Sequence, residues 1–168
     1  MKLGIIGSGF VGSTAAYAVL LRGGASEVIL IDKNKERAEA EAADIRHASP
    51  FVHHVNVYSG DYTDLKGAGL VVIAAGMAQK PGQSRLDLMN QNASILNGIM
   101  DQVVAYAPES LVVVATNPVD IMTHIAAKRA EKNGISSSRV FGTGTMLDTA
   151  RFRTLLGDYL GVDPAHVH

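Results

Sequence analysis

The sequence predicts an α/β fold, a doubly wound parallel sheet with helices on both faces. Two patterns carry that prediction. Short apolar runs rich in Val and Ile recur along the chain, most of them without polar alternation, as strands covered on both faces require. Helical patterns fill the intervals, and a chain that alternates strand with helix winds a parallel sheet. A third feature, a glycine-rich turn directly after the first run, marks where the winding begins.

Taken in order, the first strand is Leu3–Ile6, followed by the turn and a small, apolar helix over Val11–Leu21. Val28–Ile31 is the second strand, and the helix Lys35–His47 (KERAEAEAADIRH) carries its charge on one side. Val55–Tyr58 and Leu70–Ala75 are the third and fourth strands. Ser84–Tyr106 reads as one long helix, with Leu88, Ile95, Ile99 and Val103 near helical spacing. Leu111–Ala115 is the fifth strand, and Asn117-Pro118 opens the helix Val119–Lys132, proline being favoured near a first turn. A last helix, Leu147–Tyr159, follows the glycine-rich FGTGT, and no repeat or low-complexity segment intervenes.

The totals narrow the function. The chain has 168 residues, 47% of them apolar, which suits one globular domain or part of a larger protein. A formal charge of −1 offers no basic face for nucleic acid. With no cysteine, a disulfide framework and a thiolate zinc site are both excluded. The sequence has no apolar run of about 18 residues for a membrane span, and MKLGIIGSGF is too short and too broken by glycine for a signal peptide. The expectation is a cytoplasmic protein with no membrane or nucleic-acid partner. His166 and His168 would share one face of a strand, but no third ligand accompanies them, so no metal site is expected.

Gly7, Gly9 and Gly12 form G-x-G-x-x-G between a strand and a helix, the context a dinucleotide-binding turn needs. Gly7 permits the tight turn, Gly9 lets the backbone approach a pyrophosphate, and Gly12 lets the helix pack close to the strand. Free N–H groups and a partial positive charge at the helix start suit phosphates. Asp32 ends the second strand 20 residues after Gly12. A carboxylate there accepts both adenosine ribose hydroxyls and repels a 2′-phosphate, so NAD is expected rather than NADP. The plainer reading of Asp32 is a helix cap.

Three segments, GMAQKPGQSRLDLMNQN (Gly76–Asn92), VATNPVDIMT and GTGTMLDTARFR, resemble signatures of the L-lactate/malate dehydrogenase family, in its order and spacing. The resemblance covers essentially the whole chain and implies a Rossmann-type NAD-binding domain. It makes Arg85 the loop arginine that closes over the substrate and polarises its carbonyl, where a guanidinium favours the transition state over the ground state. Gln79 stands where malate-type members carry arginine. An amide cannot pair with the second carboxylate of oxaloacetate but tolerates the methyl of pyruvate, which implies lactate as substrate. By the same resemblance Asn117 bonds the substrate oxygen, and Ala115, Thr116 and Asn117 line the nicotinamide side. Arg151 is the carboxylate anchor, its planar fork making two parallel bonds. Asp148 orients a catalytic histidine. Val11, Arg37, Tyr62, Gly76, Met77 and Thr143 match further cofactor contacts. Arg153 and His168 match positions that bind fructose 1,6-bisphosphate in allosteric bacterial members. Plainer readings stand beside these: a solvated Gln79, an exposed loop arginine, a helix-capping Asn117, an i,i+3 surface pair of Asp148 and Arg151, an ordinary helix-surface Arg153 and a chain-end His168.

Carbonyl reduction also needs a proton donor, usually histidine. In the family that donor sits in a GEHGD-like motif, and none of His47, His53, His54, His124, His166 or His168 lies in one. The resemblance therefore divides the sequence into a dinucleotide-binding domain, 1–143, and the start of a substrate domain, 144–168. The whole enzyme would act on pyruvate and L-lactate as a homotetramer, with the helices Lys35–His47 and Ser84–Tyr106 as candidate subunit contacts. A malate or other 2-hydroxyacid dehydrogenase, and a non-catalytic NAD-binding module, remain the alternatives.

Overall fold

The computed structural model describes residues 1–52, 54–78, 82 and 84–168; for Arg85 it describes the backbone alone. Among these there are six strands and five α-helices, alternating except that a 3-10 turn rather than an α-helix joins the third strand to the fourth. They are β1 (Lys2–Ile6), α1 (Phe10–Arg22), β2 (Glu27–Ile31), α2 (Lys35–Arg46), β3 (Asn56–Ser59), β4 (Leu70–Ile73), α3 (Arg85–Tyr106), β5 (Leu111–Val114), α4 (Val119–Lys132), β6 (Val140–Gly142) and α5 (Met146–Leu160). The strands form one sheet in the order β3-β2-β1-β4-β5-β6, every neighbouring pair parallel. The chain starts at the centre, winds out to β3, crosses back beside β1 and winds out to β6. This is the doubly wound fold the sequence predicts.

Strand periodicity explains why the apolar runs are nearly continuous. Successive residues point to opposite faces, and both faces are buried. Leu3, Ile5, Val28, Leu30 and Val57 meet Ala16 and Leu20 of α1 and Ala42 and Ile45 of α2. Ile6, Ile29, Ile31, Val71, Ile73, Val112 and Val114 meet Leu96, Ile99, Met100 and Val103 of α3 and Met122, Ala126 and Ala130 of α4. A fully buried Leu96 or Met100 contributes about 1.5–3 kcal/mol.

Coverage is uneven toward β6. On the α1/α2 side, Leu111 of β5 and Phe141 of β6 are 42% and 45% exposed. The helix α5 leaves Met146, Leu147, Phe152, Leu155, Tyr159 and Leu160 exposed as well. Among the described residues no helix is long and apolar enough to cross a membrane.

Two local expectations are corrected. The sequence predicts five strands, and the structure adds a sixth: Val140–Gly142 is three residues long and ends on glycine, too short for a periodic signal. His166 lies in a 3-10 turn, Pro164–His166, so the same-face argument for His166 and His168 on a strand does not apply.

On the outer side of the sheet, α3 and α4 are clasped by Arg129 and Asp101, with Nε to Oδ1 at 2.6 Å and Nη2 to Oδ2 at 2.7 Å. These bonds hold the Asp101 carboxyl below its usual 3.8. A depressed carboxylate stabilises the fold above its unfolded value and loses that contribution as pH falls through its folded value. Asp101→Asn should lower the melting midpoint at neutral pH by about 1–3 °C. The gap between variant and parent should close as the pH drops below 3.8. Circular-dichroism melts across a pH series check this, and a gap independent of pH would contradict it.

Candidate functional site

Because every strand runs the same way, all six carboxyl ends open on one edge. The ladder continues a residue past the strands there. Gly7 N–H donates to Ile31 O at 2.7 Å, Ala74 N–H to Ile6 O at 2.8 Å, Ala115 N–H to Ile73 O at 2.9 Å and Thr143 N–H to Val114 O at 3.0 Å. The strand order reverses between β1 and β4, which is where such sheets form a ligand crevice. Gly7–Gly12 follow β1, Asp32 and Arg37 follow β2, and Tyr62 follows β3. Gly76 and Met77 follow β4, Ala115–Asn117 follow β5, and Thr143 follows β6. The topology thus gathers the sequence-derived cofactor residues on one edge.

The glycine turn is built for close approach. Gly7 has φ +102°, and a Cβ there would lie 2.5 Å from Ala75 N. A Cβ on Gly12 would lie 1.8 Å from Gly7 O, while nothing lies within 4 Å of one on Gly9. Asp32 is fixed at both oxygens: Ser8 N–H donates to Oδ2 at 2.7 Å and Asn34 N–H to Oδ1 at 2.9 Å. Asn34, not Asp32, caps α2, accepting from Arg37 N–H at 3.0 Å. Each Asp32 oxygen keeps acceptor capacity for a second donor. Beside it lies a cavity of about 250 Å³ lined by Asp32, Glu39, Asp61, Asp64 and one cation, Lys35. Lys35 is bound to Asp61 at 2.8 Å, and that hydrogen bond raises its pKa. Tyr62 is half-buried; burial, and then the charge of Asp32, push its hydroxyl above the usual 10.0. The Arg37 guanidinium stands 6.0 Å from the Phe10 ring centroid, linking the starts of α1 and α2.

The ends of β4 and β5 are stitched by two side chains whose part in this the sequence does not signal. Asn92 of α3 is 3% exposed. Its Oδ1 accepts from Met77 N–H at 2.8 Å and its Nδ2 donates to Asn117 O at 3.3 Å. The buried Thr116 hydroxyl donates to Ala75 O at 2.7 Å. Gly76 sits against this stitch, since a Cβ on it would lie 2.8 Å from Thr116 Cγ2. Its glycine answers to packing. The first residue capping α4 is Pro118, with no side-chain cap, so the capping reading of Asn117 fails and its exposed side chain is left for other work.

The groups read as substrate-binding are less gathered. Gln79, with Lys80 and Pro81, lies outside the described residues, as does His53. Arg85 is placed by its backbone as the first residue of α3, two turns before Asn92. Asp148 and Arg151 form the exposed i,i+3 pair, Nη1 to Oδ1 at 3.3 Å, near the start of α5. The Arg153 Nη2 donates to Pro164 O at 3.2 Å and Ala165 O at 3.0 Å. That folds the 3-10 turn before His168 back onto α5.

Known proteins share this fold. A family model described as lactate/malate dehydrogenase, NAD binding domain, matches residues 1–142. An L-lactate dehydrogenase of Geotalea daltonii is 54% identical over the whole chain, which covers 54% of that protein. One from Thermus aquaticus is 51% identical, again over the whole chain and 53% of the relative. Among solved structures, the minor L-lactate dehydrogenase of Enterococcus mundtii in ligand-bound form has a TM-score of 0.93 at 46% identity, with 99% of this chain and 52% of that one covered. The apo malate dehydrogenase of Picrophilus torridus has a TM-score of 0.92 at 35% identity, covering 98% and 52%. The chain spans about half the length of the relatives it matches.

Asn92→Leu should destabilise the chain by about 1–3 kcal/mol, because two main-chain groups lose a buried partner. Urea denaturation measures the loss, and hydrogen exchange at the Met77 amide should speed up with it. An unchanged midpoint would mean that the stitch contributes nothing.

Proposed function

Since the chain belongs to the lactate/malate dehydrogenase family, we propose that it is the cofactor-binding half of an NAD-dependent L-lactate dehydrogenase. The observation that carries the cofactor is the carboxylate of Asp32, held at both oxygens by main-chain N–H groups beside a glycine turn with open space at Gly9. That arrangement fits the adenosine ribose at Asp32 and a pyrophosphate at Gly9 and the start of α1. The cavity flanking Asp32 supports NAD over NADP, because a 2′-phosphate there would face Asp32, Glu39, Asp61 and Asp64 with Lys35 already paired. NAD(H), when bound, supplies the hydride donor or acceptor. Ala115, Thr116, Asn117, Gly76, Met77 and Thr143 shape the nicotinamide end.

On the substrate side, Arg151 anchors the carboxylate, Asn117 bonds the reacting oxygen and Arg85 polarises it. Gln79 makes the site one for pyruvate and L-lactate, and Asp148 holds the proton-donating histidine. That histidine belongs to the substrate domain, which begins at residue 144; this chain contains no GEHGD-like segment. A cytoplasmic homotetramer regulated by fructose 1,6-bisphosphate at Arg153 and His168 completes the reading.

The chain from Met1 to His168 should bind NADH and reduce no pyruvate. Asp32→Ala should weaken NADH binding about tenfold or more, as removal of hydrogen bonds to a charged group does. Fluorescence titration and a pyruvate assay test both statements. In the full-length protein, kcat/KM should favour pyruvate over oxaloacetate, and Gln79→Arg should reverse the preference. A preference for oxaloacetate in the parent protein would make it a malate dehydrogenase and end the lactate assignment.

A further inference from the structure

The Ser8 hydroxyl is fully buried inside the glycine turn and has no hydrogen-bond partner among the described residues. It is one of two such side-chain atoms; the other, Ser49 Oγ, lies in a 3-10 turn away from the crevice. Buried hydroxyls are almost always bonded, and an unbonded one signals either a cost borne for another purpose or a partner that arrives later. Ser8 stands between Gly7, whose conformation sets the turn, and Gly9, the first residue capping α1. Its own N–H is already spent on Asp32 Oδ2 at 2.7 Å. The residue that orients the ribose-binding carboxylate thus carries an uncommitted donor and acceptor on its side chain.

We propose that Ser8 is a positioning residue for the adenosine half of the dinucleotide, its hydroxyl turning on binding to a ribose or phosphate oxygen. The inference rests on the cofactor reading above. A serine side chain has three staggered rotamers about a single bond, so its hydroxyl can change direction by rotation alone. A hydroxyl already bonded within the protein would exchange one partner for another with little net gain. Ser8 exchanges none for one, so the new bond counts in full toward affinity. The same logic gives the serine opposite effects in the two states: it is a burden in the unliganded chain and a contact in the complex.

Ser8→Ala separates these effects. Removing a buried, unpaired hydroxyl should leave the melting temperature of the unliganded chain unchanged or raise it. In the same variant the dissociation constants of NADH and of ADP-ribose should both rise about fivefold, the worth of one neutral hydrogen bond. ADP-ribose lacks only the nicotinamide base, so a matched loss excludes that base as the partner; an equal loss for ADP, which also lacks the second ribose, assigns the contact to the adenosine half. Unchanged affinity for both ligands would overturn the proposal, as would a loss confined to NADH. A lowered melting temperature with unchanged affinity would make Ser8 a packing residue and nothing more. If the parent chain bound neither ligand, the cofactor reading itself would fall, a result visible before any variant is made.

Discussion

The close approach of the Gly7 turn to the end of β4 is the constraint on which the site depends. Gly7 takes φ +102°, gives its N–H to Ile31 O and leaves no room for a Cβ against Ala75 N. An L side chain would meet both a strained backbone and a main-chain clash. The turn aims α1 so that its free N–H groups face the crevice, and Gly12 brings the helix within contact of Gly7 O. It also places Ser8 N–H against Asp32, so the first and second strands deliver to one place the helix start and the acid to which the proposed function gives the phosphate and the ribose. One backbone conformation near the start of the chain thereby sets the geometry of groups contributed by β1, β2 and β4.

The second half of the sheet is organised around side chains rather than glycine. Thr116 bonds the carbonyl of Ala75, and Asn92 spans Met77 and Asn117. These bonds give partners to main-chain groups that have left the strand ladder. Asn92 also ties α3 to both loops, so the helix that begins at Arg85 is fixed in register with the strand ends it serves. The core beneath is deep on the α3/α4 side. Leu111 and Phe141 of the last two strands, and Phe152 and Leu155 of α5, are left exposed.

The strand runs and the glycine turn are legible in the sequence because their signals are local: a continuous Val/Ile run means a strand covered twice, and G-x-G-x-x-G between strand and helix means a phosphate turn. Boundaries are less so. Ala74 and Ala75 read as strand, yet β4 ends at Ile73, even though Ala74 N–H still bonds Ile6 O. Strand β6 has too few residues for a period, and its pairing with β5 comes from tertiary contact. Asn92 is invisible for a different reason. Its partners are main-chain groups 15 and 25 residues away, and nothing in a helical asparagine's neighbours announces them. The capping readings of Asp32 and Asn117 give way to Asn34 and Pro118, because a cap is decided by backbone angles that a one-residue shift changes.

The Asp148–Arg151 pair joins two readings that look opposed. As a surface ion pair, with side chains 70% and 65% exposed and a single contact of 3.3 Å, it stabilises the helix little. That weakness suits an anchor. An arginine held in a bidentate pair, as Arg129 is with Asp101, would have to break two short bonds before meeting a substrate. Arg151 has one long bond to surrender and keeps most of its fork available, as the proposed carboxylate anchor requires. Asp148 is a carboxylate in the first turn of α5, and the proposed function has it meet a histidine once Arg151 lets it go. In the proposed function the plain salt bridge and the substrate anchor are two states of one pair, and the low strength of the first is what would permit the second.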